Sequence, residues 1–214
     1  MTSTDALIHG LSADLAPVRR RSVRREIAAL VGLAAAELAL ILMAGAMRPD
    51  MGSVILSPFM AWKIGGLALL AGVSGAVAIR SFAPPAASRR DLMFAFALAV
   101  LVMAAGIFVT SAAESGEPLL ERLSPARGLR CAVAIVVLSL PLMSLLALLM
   151  RRAAPVHPKR SALATGLAAA TCGALVFTVC CPANDPLYIV VWYSAGIAAV
   201  AATARWLLPR RFRL

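Results

Sequence analysis

Residues 131–150 read CAVAIVVLSLPLMSLLALLM, a run of 20 residues without a charge. An α-helix rises about 1.5 Å per residue, so this run matches the roughly 30 Å hydrocarbon layer of a bilayer. Five further apolar runs of similar length occur elsewhere in the chain, at residues 27–46, 64–79, 92–110, 162–181 and 187–204. The sequence therefore predicts an all-α integral membrane bundle of six transmembrane helices.

The composition and the distribution of charge agree with a membrane protein. Hydrophobic residues make up 61% of the chain and charged residues 14%, too apolar for a soluble domain to hide from water. The net charge of +11 is uneven: most Lys and Arg residues lie before the first run, in two connections and in the tail. By the positive-inside rule both termini are cytoplasmic. The basic runs act as topology signals with some affinity for anionic lipid, and direct nucleic-acid binding is not predicted.

These patterns divide the chain into three parts. They are a cytoplasmic N-terminal segment at residues 1–26, a transmembrane domain at residues 27–208 and a basic cytoplasmic tail at residues 209–214. The sequence contains no Walker loop and no dinucleotide fingerprint, and the two histidines, His9 and His157, are isolated. We therefore predict no bound cofactor and no enzymatic activity.

The N-terminal segment is predicted to begin with a short amphipathic helix that Pro17 ends after about three turns. Apolar residues recur along it at three- and four-residue steps and share one face: Leu7, Ile8, Leu11, Leu15 and Val18. Residues 1–18 contain two acidic residues and no basic one, which disfavours an anionic membrane surface. Two alternatives follow: the helix lies back on the inner end of the bundle, or its apolar face binds a soluble partner. The charge favours the partner.

The four cysteines form a second candidate site. Counting spans from a cytoplasmic N terminus places Cys131, Cys180 and Cys181 at the outer ends of the fourth and fifth helices, with Cys172 about 12 Å deeper. A disulfide from Cys131 to Cys180 or Cys181 requires a Cα separation of about 4.4–6.8 Å. Three interpretations remain open: a structural disulfide or small buried apolar residues, a thiol sensor of oxidants or soft metals, and a catalytic thiol pair. The lack of a Cys-x-x-Cys motif argues against the catalytic pair.

Glu37 lies in the middle of the first apolar run. A carboxylate inside a membrane is costly, so we expect Glu37 to be protonated, paired or turned towards a polar cavity. Together with the cysteines it supports an alternative function, as a small-molecule transporter or a membrane thiol-redox protein. A single acid without an intramembrane basic partner is weak support for transport.

Two stretches of the sequence resemble a known family. Residues 7–20 read LIHGLSADLAPVRR and residues 181–193 read CPANDPLYIVVWY. With the six spans and the Arg130-Cys131 pair that opens the fourth span, they resemble the NrsF (negative regulator of sigma-F) family over essentially the whole chain. The family comprises bacterial inner-membrane anti-sigma factors. The resemblance implies a multi-pass inner-membrane protein, with both termini inside the cell, that binds an extracytoplasmic-function sigma factor.

The resemblance also implies roles for particular residues. The sigma factor would be held by the N-terminal helix, with these residues as the contact set: Leu7, Ile8, Leu11, Asp14, Leu15, Pro17 and Val18. Cys131 and Cys181 would sense metal or oxidative stress, through a disulfide or by ligating a metal. Cys180, which stands directly before Cys181, is the alternative partner of Cys131.

Overall fold

The computed structural model describes residues 3–13, 22–82, 89–108, 122–153 and 155–211. Within these ranges the chain includes eight helices and no β-strand, which confirms the predicted all-α fold. In chain order they are α1 (Ser3–Ala13), α2 (Val23–Met43), α3 (Met51–Val54), α4 (Pro58–Ser81), α5 (Arg89–Phe108), α6 (Pro125–Ala153), α7 (Pro158–Phe177) and α8 (Pro186–Arg211).

Five of the helices in the described ranges are long and apolar enough to cross a membrane, namely α2, α4, α6, α7 and α8. The charge-free run at residues 131–150 lies inside α6, which has 29 residues and extends beyond the run at both ends. The third predicted span corresponds to α5, a helix of 20 residues that opens with Arg89, Arg90 and Asp91. The prediction of six crossings therefore depends on α5, and it stays a prediction.

Helix α7 is the centre of the bundle. It packs against α4, α6 and α8, while α5 packs on α4 and α8, and α2 lies at the periphery against α6 and α7. A Cβ atom on Gly173 would lie 2.9 Å from the Ser139 backbone nitrogen in α6. A Cβ atom on Gly166 would lie 2.9 Å from the Ala201 Cα in α8. Because both obstacles are backbone atoms, α7 approaches its neighbours as closely as glycine permits.

Two predicted helix boundaries are wrong, and both concern the end of the bundle that carries the cysteines. Helix α4 begins at Pro58, six residues before the predicted run at residues 64–79, because the Ser57 hydroxyl caps it by accepting a hydrogen bond of 3.2 Å from the Met60 amide. Helix α7 ends at Phe177. Cys180 and Cys181 therefore lie in the turn after the helix, and not on its last turn.

Helix α1 is exposed along its described length. The exposed fractions of Leu7, Ile8 and Leu11 are 63%, 58% and 66%. The bundle does not cover the apolar face of this helix, which contradicts the alternative in which α1 lies back on it. The rest of the predicted contact set lies outside the described residues: Asp14, Leu15, Pro17 and Val18.

Candidate thiol site

The turn between α7 and α8, residues 178–185, holds Cys181 at one end of the bundle. The Cys181 amide donates a hydrogen bond of 3.1 Å to the Phe177 carbonyl and so stays attached to the end of α7. Pro182 follows, and a proline disfavours helical backbone at the residue before it. At the other end of the turn, Asp185 caps α8 by accepting a backbone amide hydrogen bond of 2.9 Å.

Arg48 binds this turn from the connection between α2 and α3, and it is almost completely buried. Its Nη1 donates to the Cys181 carbonyl at 3.3 Å and to Asn184 Oδ1 at 3.0 Å. Its backbone amide donates to the Val179 carbonyl at 3.1 Å. Asp50 accepts hydrogen bonds from the same guanidinium group through both carboxylate oxygens. These hydrogen bonds raise the pKa of Arg48 and lower the pKa of Asp50, because each charge stabilises the other.

A second ion pair fixes the other side of the turn. Arg122, which precedes α6, binds Asp185 with two hydrogen bonds, 2.8 Å from Nε to Oδ2 and 3.0 Å from Nη2 to Oδ1. Next to this pair, the Trp192 indole of α8 donates to the Leu123 carbonyl at 2.8 Å. Guanidinium groups from two separate connections therefore hold the turn, and the Cys181 thiol has a defined position.

Cys131 and Cys181 interact with each other at this end of the bundle. Cys181 is fully buried, whereas Cys131, on α6, is half-buried, and all four cysteines are free thiols. The Cys131 sulfur also lies 3.2 Å from the Tyr188 hydroxyl. Hydrogen bonding with the Cys131 thiol lowers the pKa of the Cys181 thiol; burial opposes this effect, and the positive charge of Lys63 adds to it.

Cys180 has different surroundings. It lines an apolar groove of about 580 Å³ between α2 and α6, together with Ile41, Arg130 and Phe177. Burial raises the pKa of the Cys180 thiol. The structure thus brings Cys131 to Cys181 and leaves Cys180 on another surface. The sensing role of the pair stays a prediction.

Lys63 also belongs to this site, although no motif in the sequence pointed to it. It is 1% exposed, and its Nζ lies 5.4 Å from the centroid of the Tyr193 ring and 5.9 Å from that of Phe59. Its charge acts on the thiols of Cys181 and Cys131. The sequence did contain a signal for a buried cation. Lys63 is a single cation among apolar residues in the first turns of α4, so burial of that helix also buries the cation.

The described ranges contain no group of three His, Cys, Asp or Glu side chains placed to hold a metal ion. Cys131 and Cys181 supply two thiols, whereas structural zinc sites use four protein ligands. Metal ligation by these residues stays a prediction, and the observed arrangement is that of a thiol pair.

Glu37 lies away from this pair, on α2. It is 8% exposed, and neither of its carboxylate oxygens has a hydrogen-bond partner in the part of the chain that the structure describes. Cys172 of α7 is close enough to interact electrostatically with Glu37. Glu37 and Cys172 therefore share the contact between α2 and α7.

Known proteins match almost the whole of this chain. Residues 11–214 match the NrsF family, described as negative regulator of sigma F. The anti-sigma-F factor NrsF of Caulobacter vibrioides is 30% identical over 206 residues, which are 95% of this chain and 95% of that relative. The probable anti-sigma-F factor NrsF of Azospira oryzae is 30% identical over 204 residues, 93% of each chain. No solved structure matches the chain. The resemblance noted in the sequence is confirmed, and the chain belongs to the NrsF family.

Proposed function

We propose that this protein is a membrane-bound anti-sigma factor, which sequesters an extracytoplasmic-function sigma factor and releases it when Cys131 and Cys181 react. The observation that carries the proposal is the exposed apolar stripe of α1 in a member of the NrsF family. The long apolar helices would hold the chain in the inner membrane with six crossings, and the distribution of basic residues favours cytoplasmic termini.

The stripe on α1 has the properties of a partner-binding surface. Leu7, Ile8 and Leu11 are each more than half exposed, and burying such a side chain is worth about 1.5–3 kcal/mol. Residues 3–13 carry Asp5 and no basic residue, so an anionic bilayer surface is a poor binding site for them. A groove on a protein, which accepts the apolar face of a helix, satisfies both conditions. In that complex α1 would cover a surface that the sigma factor needs for RNA polymerase.

A charge placed within the stripe tests this contact. Leu11→Asp should lower capture of the sigma factor about tenfold or more, because a carboxylate would be buried in the groove. His9→Asp adds the same charge to another face of α1 and is the matched control. Capture is measured by co-purification of each full-length variant from membranes with a co-expressed extracytoplasmic-function sigma factor of the same organism. Equal capture by both variants would contradict the assignment of α1 as the contact, as would repression that survives deletion of residues 1–18.

The thiol pair supplies the release step of the proposal. Cys131 belongs to α6, and Cys181 belongs to the turn that ends α7, so a bond between them changes how α7 sits against α6. Arg48 binds the same turn and follows α2, which leads back to α1. A change at the thiols can therefore reach the sigma-binding helix through α2. Such a switch needs two packings of the bundle, one favoured by the reduced pair and one by the reacted pair.

Serine substitutions test the release step. Cys131→Ser and Cys181→Ser should each abolish induction of the sigma-dependent genes by peroxide or cadmium, while capture of the sigma factor stays unchanged. Cys172→Ser, which removes a thiol outside the pair, is the control and should respond like the wild type. A normal stress response in the first two variants would remove the sensing role and leave the anti-sigma role intact.

The alternative function, a transporter or membrane thiol-redox protein, is favoured by one observation. The buried carboxyl group of Glu37 has no hydrogen-bond partner among the residues described, as expected of a group that exchanges protons. Substrate flux in proteoliposomes that is lost in Glu37→Gln, without capture of a sigma factor by the full-length chain, would favour this alternative.

A further inference from the structure

Lys63 is a buried cation that has no carboxylate partner among the residues that the structure describes. Its Nζ atom forms no hydrogen bond with any described residue. The two aspartates described at this end of the bundle are already engaged, because Asp50 and Asp185 each bind an arginine. Glu37 belongs to a different contact, between α2 and α7. Within the described ranges, a negative charge that balances Lys63 therefore has to come from another type of group.

Two aromatic rings lie beside this ammonium group, and two thiols act on it electrostatically. Two ring centroids lie 5.4 and 5.9 Å from Nζ, and cation–π attraction offsets only part of the cost of burial. The ionisable groups that act on Lys63 are Cys181, Arg48 and Cys131. Arg48 carries a charge of the same sign and repels it. Of these groups, a thiolate is the one that can balance the charge of Lys63.

Cys181 suits this role better than Cys131. It is fully buried with Lys63, whereas Cys131 is half-buried and has a hydrogen-bond partner in Tyr188. Electrostatic interaction with a protonated Cys131 thiol stabilises a negative charge on the Cys181 sulfur. The arrangement therefore favours one thiol and one thiolate over two neutral thiols.

We propose that Lys63 is the counter-ion of a Cys181 thiolate and thereby holds the Cys131–Cys181 pair in its reduced form. The inference rests on the proposed function and deepens it, because it names the residue that sets how strong an oxidant the pair requires. A disulfide carries no charge, so its formation removes the counter-ion of Lys63. Groups that stabilise the reduced form of a dithiol make its disulfide harder to form.

Exchange with glutathione disulfide measures this effect directly. The Cys181 thiolate and the Cys131 thiol form one S–S bond, the S–S bond of glutathione disulfide breaks, and one glutathione thiolate and one glutathione thiol leave. Two electrons pass from the pair to glutathione. The full-length chain in lipid nanodiscs, with Cys172→Ser and Cys180→Ser, is equilibrated with glutathione buffers at fixed pH, and the disulfide fraction is read by mass spectrometry.

Two substitutions at one position separate charge from packing. Lys63→Met keeps a long side chain without the charge, and it should shift the exchange constant towards the disulfide by about tenfold or more, which corresponds to one pKa unit. Lys63→Arg keeps the charge and should stay within about threefold of the wild type. An effect that came from packing alone would appear in both variants, and it would contradict the proposal.

Ultraviolet absorbance of the thiolate provides a second measurement that does not depend on oxidation. The wild type should show a thiolate at neutral pH that disappears on acidification, and Lys63→Arg should behave alike. Lys63→Met and Cys181→Ser should lack it at neutral pH. The titration stays below about pH 10, where tyrosines ionise. The ionisable groups that face the Cys181 thiol come from α4, α6, α8 and the connection after α2: Lys63, Cys131, Tyr188, Tyr193 and Arg48.

The outcomes for this inference and for the proposed function can be told apart. Equal exchange constants for the wild type and Lys63→Met, or the same thiolate signal in both, would overturn the role of Lys63, whatever the stress response of Cys131→Ser. A shifted constant and a lost thiolate signal in Lys63→Met would support that role. If Cys131→Ser then still responded normally to peroxide, the sensing function alone would fail.

Discussion

Helices α7 and α2 are both long and apolar, yet they occupy opposite positions in the bundle. In the apolar part of α7, 72% of the residues are buried, against 11% in α2. The less buried helix is nevertheless the more hydrophobic one, since the mean hydropathy is 2.1 for α2 and 1.3 for α7. In a bilayer, whose acyl chains are as apolar as leucine, the more hydrophobic helix would gain nothing by entering the core of the bundle. The helix with small and weakly polar residues takes the centre, since its backbone can approach its neighbours.

The difference also separates two tasks. Helix α7 leads to the turn that carries Cys181, and α2 connects the N-terminal segment to Arg48. Both therefore end at the same place, where the Arg48 amide donates to the Val179 carbonyl. A tightly packed helix holds the thiol in position, while a loosely packed helix can move at low cost. The following predictions test how strong that contrast is.

The largest effect is expected in the core of α7. Gly173→Leu should lower the free energy of unfolding by more than about 3 kcal/mol, because even its Cβ atom would lie 2.9 Å from the Ser139 backbone nitrogen. Gly32→Leu in α2 is the matched control, since nothing lies within 4 Å of the corresponding Cβ position. It should change stability by less than about 0.5 kcal/mol. Unfolding measurements in detergent micelles compare the two variants. An equal loss of unfolding free energy in both would mean that α2 is packed as firmly as α7.

The next effect concerns the end of α2 that leads to Arg48. Arg48→Met removes the guanidinium group that donates hydrogen bonds to the Cys181 carbonyl and to Asn184. The connection after α2 should therefore detach from the turn. Hydrogen exchange of backbone amides should become about tenfold faster or more in residues 44–50 and 178–185, with no change in the middle of α7. Arg48→Lys should be intermediate, because an ammonium group cannot reach all the acceptors in the same geometry. Faster exchange along the whole of α7 would contradict the separation of the two helices.

A smaller effect of opposite sign is expected at Glu37. Glu37→Leu should stabilise the contact of α2 with α7 by on the order of 1 kcal/mol, because the carboxyl oxygens are buried without a hydrogen-bond partner among the described residues. Glu37→Gln keeps a polar group at this position, so it should gain less stability than Glu37→Leu. Thermal unfolding in nanodiscs measures both variants. Lower stability in Glu37→Leu would mean that the carboxyl group has a stabilising partner.

The smallest effect is a pH dependence at the connection after α2. The hydrogen bonds from Arg48 lower the pKa of Asp50 from its ordinary value of 3.8, so folding favours the charged carboxylate. This contribution is complete above about pH 4 and is lost as the pH falls through the lowered pKa. It is small because the Asp50 side chain is 45% exposed. Amide exchange in residues 44–50 should accelerate on acidification relative to Asp50→Asn, and parallel profiles for the two proteins would contradict the prediction.

Much of the fold follows from local patterns in the sequence. The run at residues 131–150 predicts a helix because it is long, apolar and without a charged residue. Helix α6 contains the whole run. The two wrong boundaries had local signals as well. Ser57 before Pro58 is a helix start, and Pro182 disfavours a helical Cys181. Hydropathy alone could not locate either boundary, because apolar residues continue on both sides of each one.

The site was less predictable, because it depends on contacts between distant segments. The family resemblance named Cys131 and Cys181, and the structure brings these two together while Cys180 faces another surface. Lys63 and Arg48 appear in the sequence only as basic residues near helix ends. Their burial follows from the packing of α4, α7 and α8 and from the course of the turn, which no short-range pattern contains.

The groove beside Cys180 has a consequence for the lipid around the protein. About 580 Å³ of space opens between α2 and α6, and its lining is almost entirely apolar. In a fluid bilayer such a volume would not stay empty, and acyl chains would fill it. The length and saturation of those chains then contribute to the energy of holding α2 in place. Growth temperature, which changes membrane fluidity, would thereby change how firmly α2 is held.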